Sequence, residues 1–328
     1  MRRTLFHFVA ALSMAAACMV SAVQAAVVSF GSGTNVFQME FVTIGNPGNA
    51  NDTTGAPNPA GSVGYEYGIG KFEVSEDMIT KFNASQFLQI ITDNRGPAKP
   101  ATNVSWNEAA RFVNWLNTST GNQAAYKFTT GGVNDNIALW QSGDAGYDVN
   151  NKYRNSLAKY FLPSYNEWYK AAYYDPKTIA YYDYTTGSDS APTAVASGTG
   201  TGANGNNEAV YGGQTGPADV TQAGGFSPYG VMGLGGNVWE WEESSQDLAN
   251  SSSSSSRGIR GGFWSSVSNR LSSSSRSFNG PSIEGNGIGF RVASLSSSAP
   301  PAVPEPSMMV IGTLFGIGGL VAKRRMKK

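Results

Sequence analysis

The chain has 328 residues, 40 of them glycine, with 23 basic and 23 acidic residues. Seven basic residues but only one acidic residue lie in the two end segments described below. The body between them is therefore mildly acidic, which argues against nucleic-acid binding.

The first 25 residues have the three parts of a secretory signal peptide. Arg2 and Arg3 give a positive start, residues 5–20 are mostly apolar, and residues 23–25 (Val-Gln-Ala) fit a signal-peptidase site. A permanent membrane anchor would need about 20 apolar residues, and a lipoprotein would be lipidated on Cys18. We favour export, with cleavage after residue 25.

Cleavage there would remove the only cysteine, Cys18, and the only histidine, His7. The mature domain would then have no thiol, disulfide or imidazole. This excludes cysteine nucleophiles, Ser-His-Asp triads and thiolate metal sites. Any chemistry would depend on carboxylates, hydroxyls, Lys, Arg or a hard metal ion.

Three helices are predicted in the body. Residues 75–83 place Met78, Ile79 and Phe82 on one face. A second helix opens with the capping box Ser105–Glu108, and a third with the capping box Ser164–Glu167. The apolar stripes that follow the boxes are Ala109, Phe112, Val113 and Leu116 in the second helix, and Trp168, Ala171 and Ala172 in the third. Both glutamates therefore have a structural interpretation.

Short strands are predicted over residues 36–44, 67–74, 258–264 and 287–293, separated by long glycine-rich connections such as 185–225. The serine run 251–256 has no apolar residue to anchor it and predicts an exposed loop. Residues 296–303 are a Ser/Pro-rich linker.

The last segment, residues 304–328, begins with Pro-Glu-Pro, continues as an apolar run over 308–322 and ends in a basic cluster. This order resembles the PEP-CTERM sorting signal. The resemblance implies a short transmembrane helix that anchors the protein in the inner membrane until an exosortase-type transpeptidase releases it to the cell envelope or an extracellular matrix. An ordinary single-pass tail anchor is the alternative.

Six segments of the body match one family in order. They are residues 67–75 (YGIGKFEVS), 103–106 (NVSW), 162–164 (LPS), 236–241 (GNVWEW), 260–264 (RGGFW) and 287–291 (GIGFR). Together they resemble the formylglycine-generating-enzyme, or sulfatase-modifying-factor, family. The resemblance implies a single α+β, C-type-lectin-like domain over residues 26–295, with much irregular backbone and often a bound calcium ion.

The family's calcium site maps onto the GNVWEW segment. The resemblance implies ligands at the carbonyls of Gly236 and Val238 and at the carboxylate of Glu240. A further side-chain ligand, usually Asp or Asn, is replaced by Gly233, which weakens a site that prefers six to eight oxygens. A second family site lies upstream, where Asn206 or Asn207 could contribute ligands. We keep both an occupied and a vacant calcium site open.

Active members of the family use two cysteines to bind copper. The corresponding positions fall on Ser266 and near Leu271. A serine hydroxyl is a poor ligand for copper(I) and leucine is none, because soft thiolates select that ion. The resemblance therefore implies a member without the catalytic pair, and copper is not expected.

Large and charged residues of these motifs have structural interpretations. Alternation along the strand should place Trp239 and Trp241 on one face and the Glu240 carboxylate on the other. Arg260 and Arg291 are predicted to pair with buried carboxylates rather than to bind substrate.

Three functions remain open. The favoured one is a non-catalytic surface or matrix protein that binds a polysaccharide or a partner protein through residues 244–284, where Trp264, Arg270, Arg276 and Phe278 are candidate contacts. The second is an enzyme, either a formylglycine-generating oxidase or another carboxylate- or metal-based activity. The third is a purely structural matrix module.

Overall fold

The structure, a computed structural model, describes residues 25–197 and 206–296. All of the predicted signal peptide except its last residue, the sorting tail with its transmembrane segment, and both His7 and Cys18 lie outside this range. Within it, no helix has the length and apolar character needed to cross a membrane.

The described residues contain three α-helices, and each begins beside a serine cap. They are α1 (Glu76–Ser85), α2 (Trp106–Ser119) and α3 (Tyr165–Tyr173). The hydroxyls of Ser105 and Ser164 each accept a hydrogen bond from the backbone N–H three residues further on. In return, the side chains of Glu108 and Glu167 accept from the backbone N–H of the capping serine. The two predicted capping boxes are therefore confirmed. The apolar stripes that follow them are buried, as expected from the 3.6-residue period.

The strands are short. They are β1 (Ala26–Phe30), β2 (Phe37–Ile44), β3 (Tyr67–Gly70), β4 (Tyr160–Phe161), β5 (Tyr174–Asp175), β6 (Ala180–Tyr181), β7 (Thr193–Ala194), β8 (Glu208–Ala209), β9 (Trp239–Ser245), β10 (Arg257–Arg260), β11 (Ser277–Asn279), β12 (Ile288–Gly289) and β13 (Ala293–Leu295). They form a five-stranded sheet in the order β1-β2-β3-β13-β4, a four-stranded sheet in the order β11-β10-β9-β12, and the pairs β5-β6 and β7-β8.

The five-stranded sheet is covered on both faces. Along β2, Phe37, Met39 and Phe41 join the larger core around α1 and α2. Val42 and Ile44 point to the other face and join the core around α3. This is the two-residue alternation of a strand buried on both sides.

Two predicted strands were too long, and glycine explains one of them. The strand predicted over 258–264 ends at Arg260, because Gly261 and Gly262 take φ values of +92° and +74°. This left-handed conformation is open to glycine and turns the chain out of the sheet. The strand predicted over 67–74 ends at Gly70, just before the chain turns into α1.

The strand predicted over 287–293 is two strands in different sheets. β12 pairs with β9 in the four-stranded sheet, and β13 pairs with β3 in the five-stranded sheet. Phe290, Arg291 and Val292 carry the chain from one sheet to the other, and all three are buried. Arg291 therefore lies where the two sheets meet.

The serine run 251–256 is partly exposed, as predicted, but it is anchored. The carbonyls of Ser253 and Ser255 accept hydrogen bonds from the Arg257 guanidinium. That guanidinium lies 4.4 Å from the Trp106 ring and 4.1 Å from the Tyr153 ring. Burial lowers the pKa of Arg257 to about 10, and the two aromatic faces and the carbonyls stabilise the charge.

Candidate functional site

The central strand β9 carries alternating tryptophans and glutamates. Trp241 is buried in the larger core and Trp239 packs against it from the same face. The Glu240 and Glu242 side chains leave the opposite face, and both are buried completely. A buried carboxylate requires a charged or hydrogen-bonding partner, and each glutamate has one.

Glu240 pairs with Arg291. The guanidinium donates to both carboxylate oxygens, with Nε 2.6 Å from Oε2, and Trp168 Nε1 donates to Oε2 at 2.7 Å. The same guanidinium donates to the carbonyls of Gly70 and Met232. Arg291 thus joins the end of β3 in one sheet to β9 in the other.

Glu242 pairs with two arginines. Arg260 Nε lies 2.6 Å from its Oε1, and Arg276 approaches Oε2 at 2.8 Å. Gly258 makes this arrangement possible, since a Cβ there would overlap Glu242 Oε2 and lie 2.5 Å from Arg276 Nη2. One buried carboxylate faces two guanidinium groups, which leaves one positive charge in excess.

The positions expected from the family's cysteine pair lie close together around Gly262. A Cβ at Gly262 would lie 2.9 Å from Leu271 Cδ1 and 3.4 Å from the Cβ atoms of Ser266 and Arg270. Ser266 is buried, and its Oγ accepts from the Phe263 N–H at 3.0 Å. Leu271 is buried as well. The two positions that hold cysteines in active relatives are therefore occupied by the Ser266 hydroxyl, which caps a turn, and by the Leu271 side chain.

An open cavity of about 280 Å³ lies beside this place, lined by Asn269, Arg270, Ser274, Ser275 and Arg276. All five residues are polar, and none is acidic. Arg270 is exposed and its side chain has no hydrogen-bond or ion-pair partner among the described residues. Arg276 is held by Glu242 and by the carbonyls of Ser245 and Gln246. We call this the arginine cavity.

Of the four candidate ligand contacts, the structure brings Arg270 and Arg276 together in the arginine cavity. Phe278, two residues after Arg276 in the chain, is 51% exposed and pairs with Gly258 across β11 and β10. Trp264 does not line this cavity. It is 6% exposed, packs with Val210, Ala218 and Val238, and is covered by Arg95, whose guanidinium carbon is 4.8 Å from the ring.

The sequence profile of the sulfatase-modifying factor enzyme 1-like domain matches residues 36–295, which is most of the chain. The chain belongs to this family. No curated protein matches it.

Among the solved structures that match, two illustrate the shared fold. The Treponema denticola variable protein 1 has a TM-score of 0.55 and 19% identity, over 83% of this chain and 99% of that one. The crystal structure of CarF has a TM-score of 0.53 and 20% identity, over 78% of this chain and 98% of that one. At identities this low the similarity shows the fold alone. It confirms the predicted α+β, C-type-lectin-like class.

The side chains at the family's calcium position do not fit that ion as they are arranged. Both Glu240 oxygens accept from Arg291, which already supplies the positive charge. Gly233 offers no ligand, and the Glu73 carboxylate fills the space beside it, 2.7 Å from where a Cβ at Gly233 would lie. Burial raises the pKa of Glu73 above its usual range, so this carboxyl adds less negative charge than an exposed one would.

The remaining predicted calcium ligands are closely surrounded by other protein groups. Gly236, at φ +84°, lies against the Val210 carbonyl, and Asn237 donates from its side chain to Glu73 Oε1 at 2.8 Å. Upstream, Asn207 accepts from the Thr186 hydroxyl, and Asn206 precedes it in the same connection. Within the described part of the chain, no cluster of three acidic, histidine or cysteine side chains could hold a metal ion. An occupied and a vacant calcium site both stay open as predictions.

Two charged residues that contribute to these buried pairs were not predicted, Glu242 and Arg154. Glu242 lies two residues after Glu240, so the strand period alone could have placed it on the same face. Arg154 lies in an irregular connection. It pairs with Glu167, 13 residues further along the chain, and with Glu243, which is far away in the chain. Nothing in the local sequence around Arg154 indicates those partners.

Proposed function

We propose that this protein is a non-catalytic, exported binding module of the sulfatase-modifying-factor family whose ligand is an acidic polysaccharide of the envelope or matrix. The observation that carries the proposal is the arginine cavity. It combines an unpaired, exposed guanidinium with a lining that has no acidic residue.

The charges around the cavity favour an anionic ligand. Arg260 and Arg276 share the single carboxylate of Glu242, and Arg270 has no side-chain partner among the described residues. Guanidinium groups bind carboxylates and sulfates through paired, charge-assisted hydrogen bonds. The body of the protein is mildly acidic, so this positive region is local.

The form of the cavity favours a polysaccharide. It is open, and its serine and asparagine side chains offer hydrogen bonds that can adapt to hydroxyl groups. Phe278 provides an exposed aromatic face nearby in the same strand region. The non-catalytic part of the proposal is supported by Ser266 and Leu271, which provide no thiolate where the active relatives bind copper.

Binding to a uronic-acid polysaccharide tests the proposal. Arg270→Ala should weaken binding about tenfold, equivalent to about 1.4 kcal/mol, and added salt should weaken binding further because exposed charges are screened. Lys177→Ala is the matched control, since it removes one exposed positive charge elsewhere.

Equal losses in both variants would mean general charge attraction and would contradict a specific site. Binding of an acidic protein, with no binding of any acidic polysaccharide, would favour the partner-protein alternative. Aldehyde formation on a sulfatase peptide after incubation with copper would instead favour the oxidase.

The proposed location rests on the two end segments. Signal peptidase would cut after residue 25, and an exosortase-type enzyme would remove the tail near the Pro-Glu-Pro triplet at 304–306. Mass spectrometry of the protein from the envelope or the medium should find Ala26 as the first residue and no residues from 308–328. An intact C-terminus in the membrane fraction would favour the ordinary tail anchor.

Calcium is a separate part of the proposal. Because Glu240 is paired with Arg291, we expect chelator to leave the melting temperature unchanged. A large fall in melting temperature on chelation, reversed by added calcium, would show that the family site binds the ion and that calcium displaces Arg291 from Glu240.

A further inference from the structure

A second cavity, of about 200 Å³, shares no residue with the arginine cavity. Its aromatic wall contains Tyr65 and Phe161, and its polar wall contains Arg154, Asp148 and Ser156. The remaining lining residues are Asn151, Asn155, Ala158 and Leu295. We call it the tyrosine cavity.

A charged network beneath the tyrosine cavity fixes its walls. Arg154 pairs with Glu167 at 3.2 Å and with Glu243 at 3.3 Å, and its guanidinium carbon lies 3.9 Å from the Phe161 ring centre. The Tyr65 hydroxyl donates to Glu167 Oε1 at 2.5 Å. These contacts hold the ring of Tyr65 in one orientation while leaving the residue 43% exposed.

The two glutamates of this network are not candidates for acid–base catalysis. Both are buried, and neither lines the tyrosine cavity. Their oxygens accept from protein donors, among them Tyr126 and Asn151 for Glu243 and the Ser164 N–H for Glu167. The network positions Arg154 and Tyr65 and leaves no carboxylate oxygen for a reacting group.

Polar groups that can accept or donate remain in the polar wall. The Ser156 hydroxyl has no hydrogen-bond partner among residues 25–197 and 206–296. Asp148 accepts from the Asn150 N–H with Oδ1, and Oδ2 has no partner within the same range. A carboxylate oxygen and a hydroxyl therefore face the cavity together with a half-exposed aromatic ring.

The lining of this cavity carries no net charge, unlike that of the arginine cavity. Its charged lining residues are Arg154 and Asp148, and the Arg154 guanidinium is already paired with Glu167 and Glu243 beneath it. An anionic ligand would find no unpaired cation here and would meet the Asp148 carboxylate. A neutral ligand with several hydroxyl groups and one apolar face would satisfy the free oxygens and cover the ring.

We propose that the tyrosine cavity binds a single neutral hexopyranose unit. The C–H face of the sugar packs on Tyr65, and its hydroxyls donate to Asp148 and exchange hydrogen bonds with Ser156. The size of the cavity suits one sugar ring rather than an extended chain. This site does not depend on the proposed acidic ligand, because no residue is common to the two cavities.

The test is titration of the purified protein with a panel of neutral methyl hexopyranosides, with binding measured by saturation-transfer NMR. We expect at least one glycoside to bind with a Kd on the order of 1 mM, typical of about −4 kcal/mol from a small ligand. Tyr65→Ala and Asp148→Asn should each weaken this binding about tenfold. Phe87→Ala, which removes a fully exposed aromatic ring elsewhere, is the matched control.

Tyr65→Phe separates loss of the sugar-binding ring from loss of the hydrogen bond that stabilises the fold. It removes the hydroxyl bonded to Glu167 but keeps the ring, so it should retain sugar binding if the aromatic face is what the sugar contacts. Melting curves of both Tyr65 variants show whether the fold is intact.

Three outcomes would overturn the inference. They are the absence of binding by every neutral glycoside, binding that Tyr65→Ala leaves unchanged, and binding of methyl uronates that equals or exceeds that of the neutral sugars. Uronic-acid polysaccharide binding is measured on the same preparation, so failure at the tyrosine cavity is distinguished from failure at the arginine cavity.

Discussion

The arginines of this protein occur in two contrasting environments. Arg260 and Arg291 are completely buried, and each contacts a carboxylate of β9 that is also completely buried. Arg270 lies against Gly262, which follows Arg260 by two residues in the chain, but it is exposed and has no side-chain partner among the described residues. The same side chain therefore has two different roles.

The difference follows from desolvation. A guanidinium removed from water loses several kcal/mol of hydration, so it is tolerated only where protein groups replace the water. For Arg260 and Arg291 those groups are a carboxylate and carbonyl oxygens. An exposed guanidinium keeps its water and can exchange it for a ligand. In this family member, burial indicates which arginines hold the sheets together, and exposure leaves Arg270 available to the ligand proposed above.

The largest expected effect comes from breaking a buried pair. Arg291→Met should lower the free energy of unfolding by about 3–5 kcal/mol, because it leaves Glu240 buried without its cation and removes the donor to the carbonyls of Gly70 and Met232. Denaturant unfolding measures the change. The double variant with Glu240→Gln should lose less than the sum of the two single variants. Losses that add fully would contradict a direct pairing.

Gly258→Ala tests the second pair. The added methyl group would overlap the Glu242 carboxylate and crowd Arg276, so we expect a loss of about 1–3 kcal/mol. Gly64→Ala is the matched control, since nothing lies within 4 Å of a Cβ there, and it should be neutral or slightly stabilising. If the two variants unfold alike, the space at Gly258 is not needed.

Glu108 shows what happens to a buried carboxyl group without an arginine. Burial raises its pKa from 4.5 to about 7, although the Ser105 N–H donates to it. Between these values the folded state keeps the proton and the unfolded state releases it. Stability from this group is therefore highest at low pH and falls as pH rises from 4.5 to about 7, by at most about 3 kcal/mol.

Glu108→Gln keeps the acceptor of the capping box and cannot titrate. Stability curves of the native protein and this variant, measured from pH 4.5 to 8, should converge toward the acid end and separate as pH rises. Parallel curves over that interval would show that Glu108 is ionised in the folded state.

The smallest effect is expected at the exposed arginine. Arg270→Ala should change the free energy of unfolding by less than about 0.5 kcal/mol, because an exposed charge without a partner contributes little. Chemical denaturation of this variant beside Arg291→Met gives the contrast directly. A loss at Arg270 comparable to that at Arg291 would remove the distinction between the two environments.

Local patterns in the sequence predicted much of this architecture. The capping boxes at Ser105 and Ser164 located two helices because a cap and its partner lie three residues apart. Strand ends were predicted less well. Residues 287–293 read as one strand, and only the pairing partners β9 and β3 show that the chain leaves one sheet for the other.

The candidate site was predicted in part. Arg270 and Arg276 were selected for their composition and lie together in the arginine cavity. Trp264 was selected in the same way, but its ring is covered by Arg95, a residue from a distant part of the chain. Tyr65 and Arg154 were not selected, since their common partner Glu167 lies in α3 and had been assigned only a capping role.

The sequence by itself determined the family, the fold class and the loss of the thiolate pair, since these depend on which residue types are present and in what order. Only the tertiary structure decided which charged side chains are buried in pairs and which remain open to a ligand. Desolvation depends on what surrounds a side chain in space, and those neighbours come from distant parts of the chain.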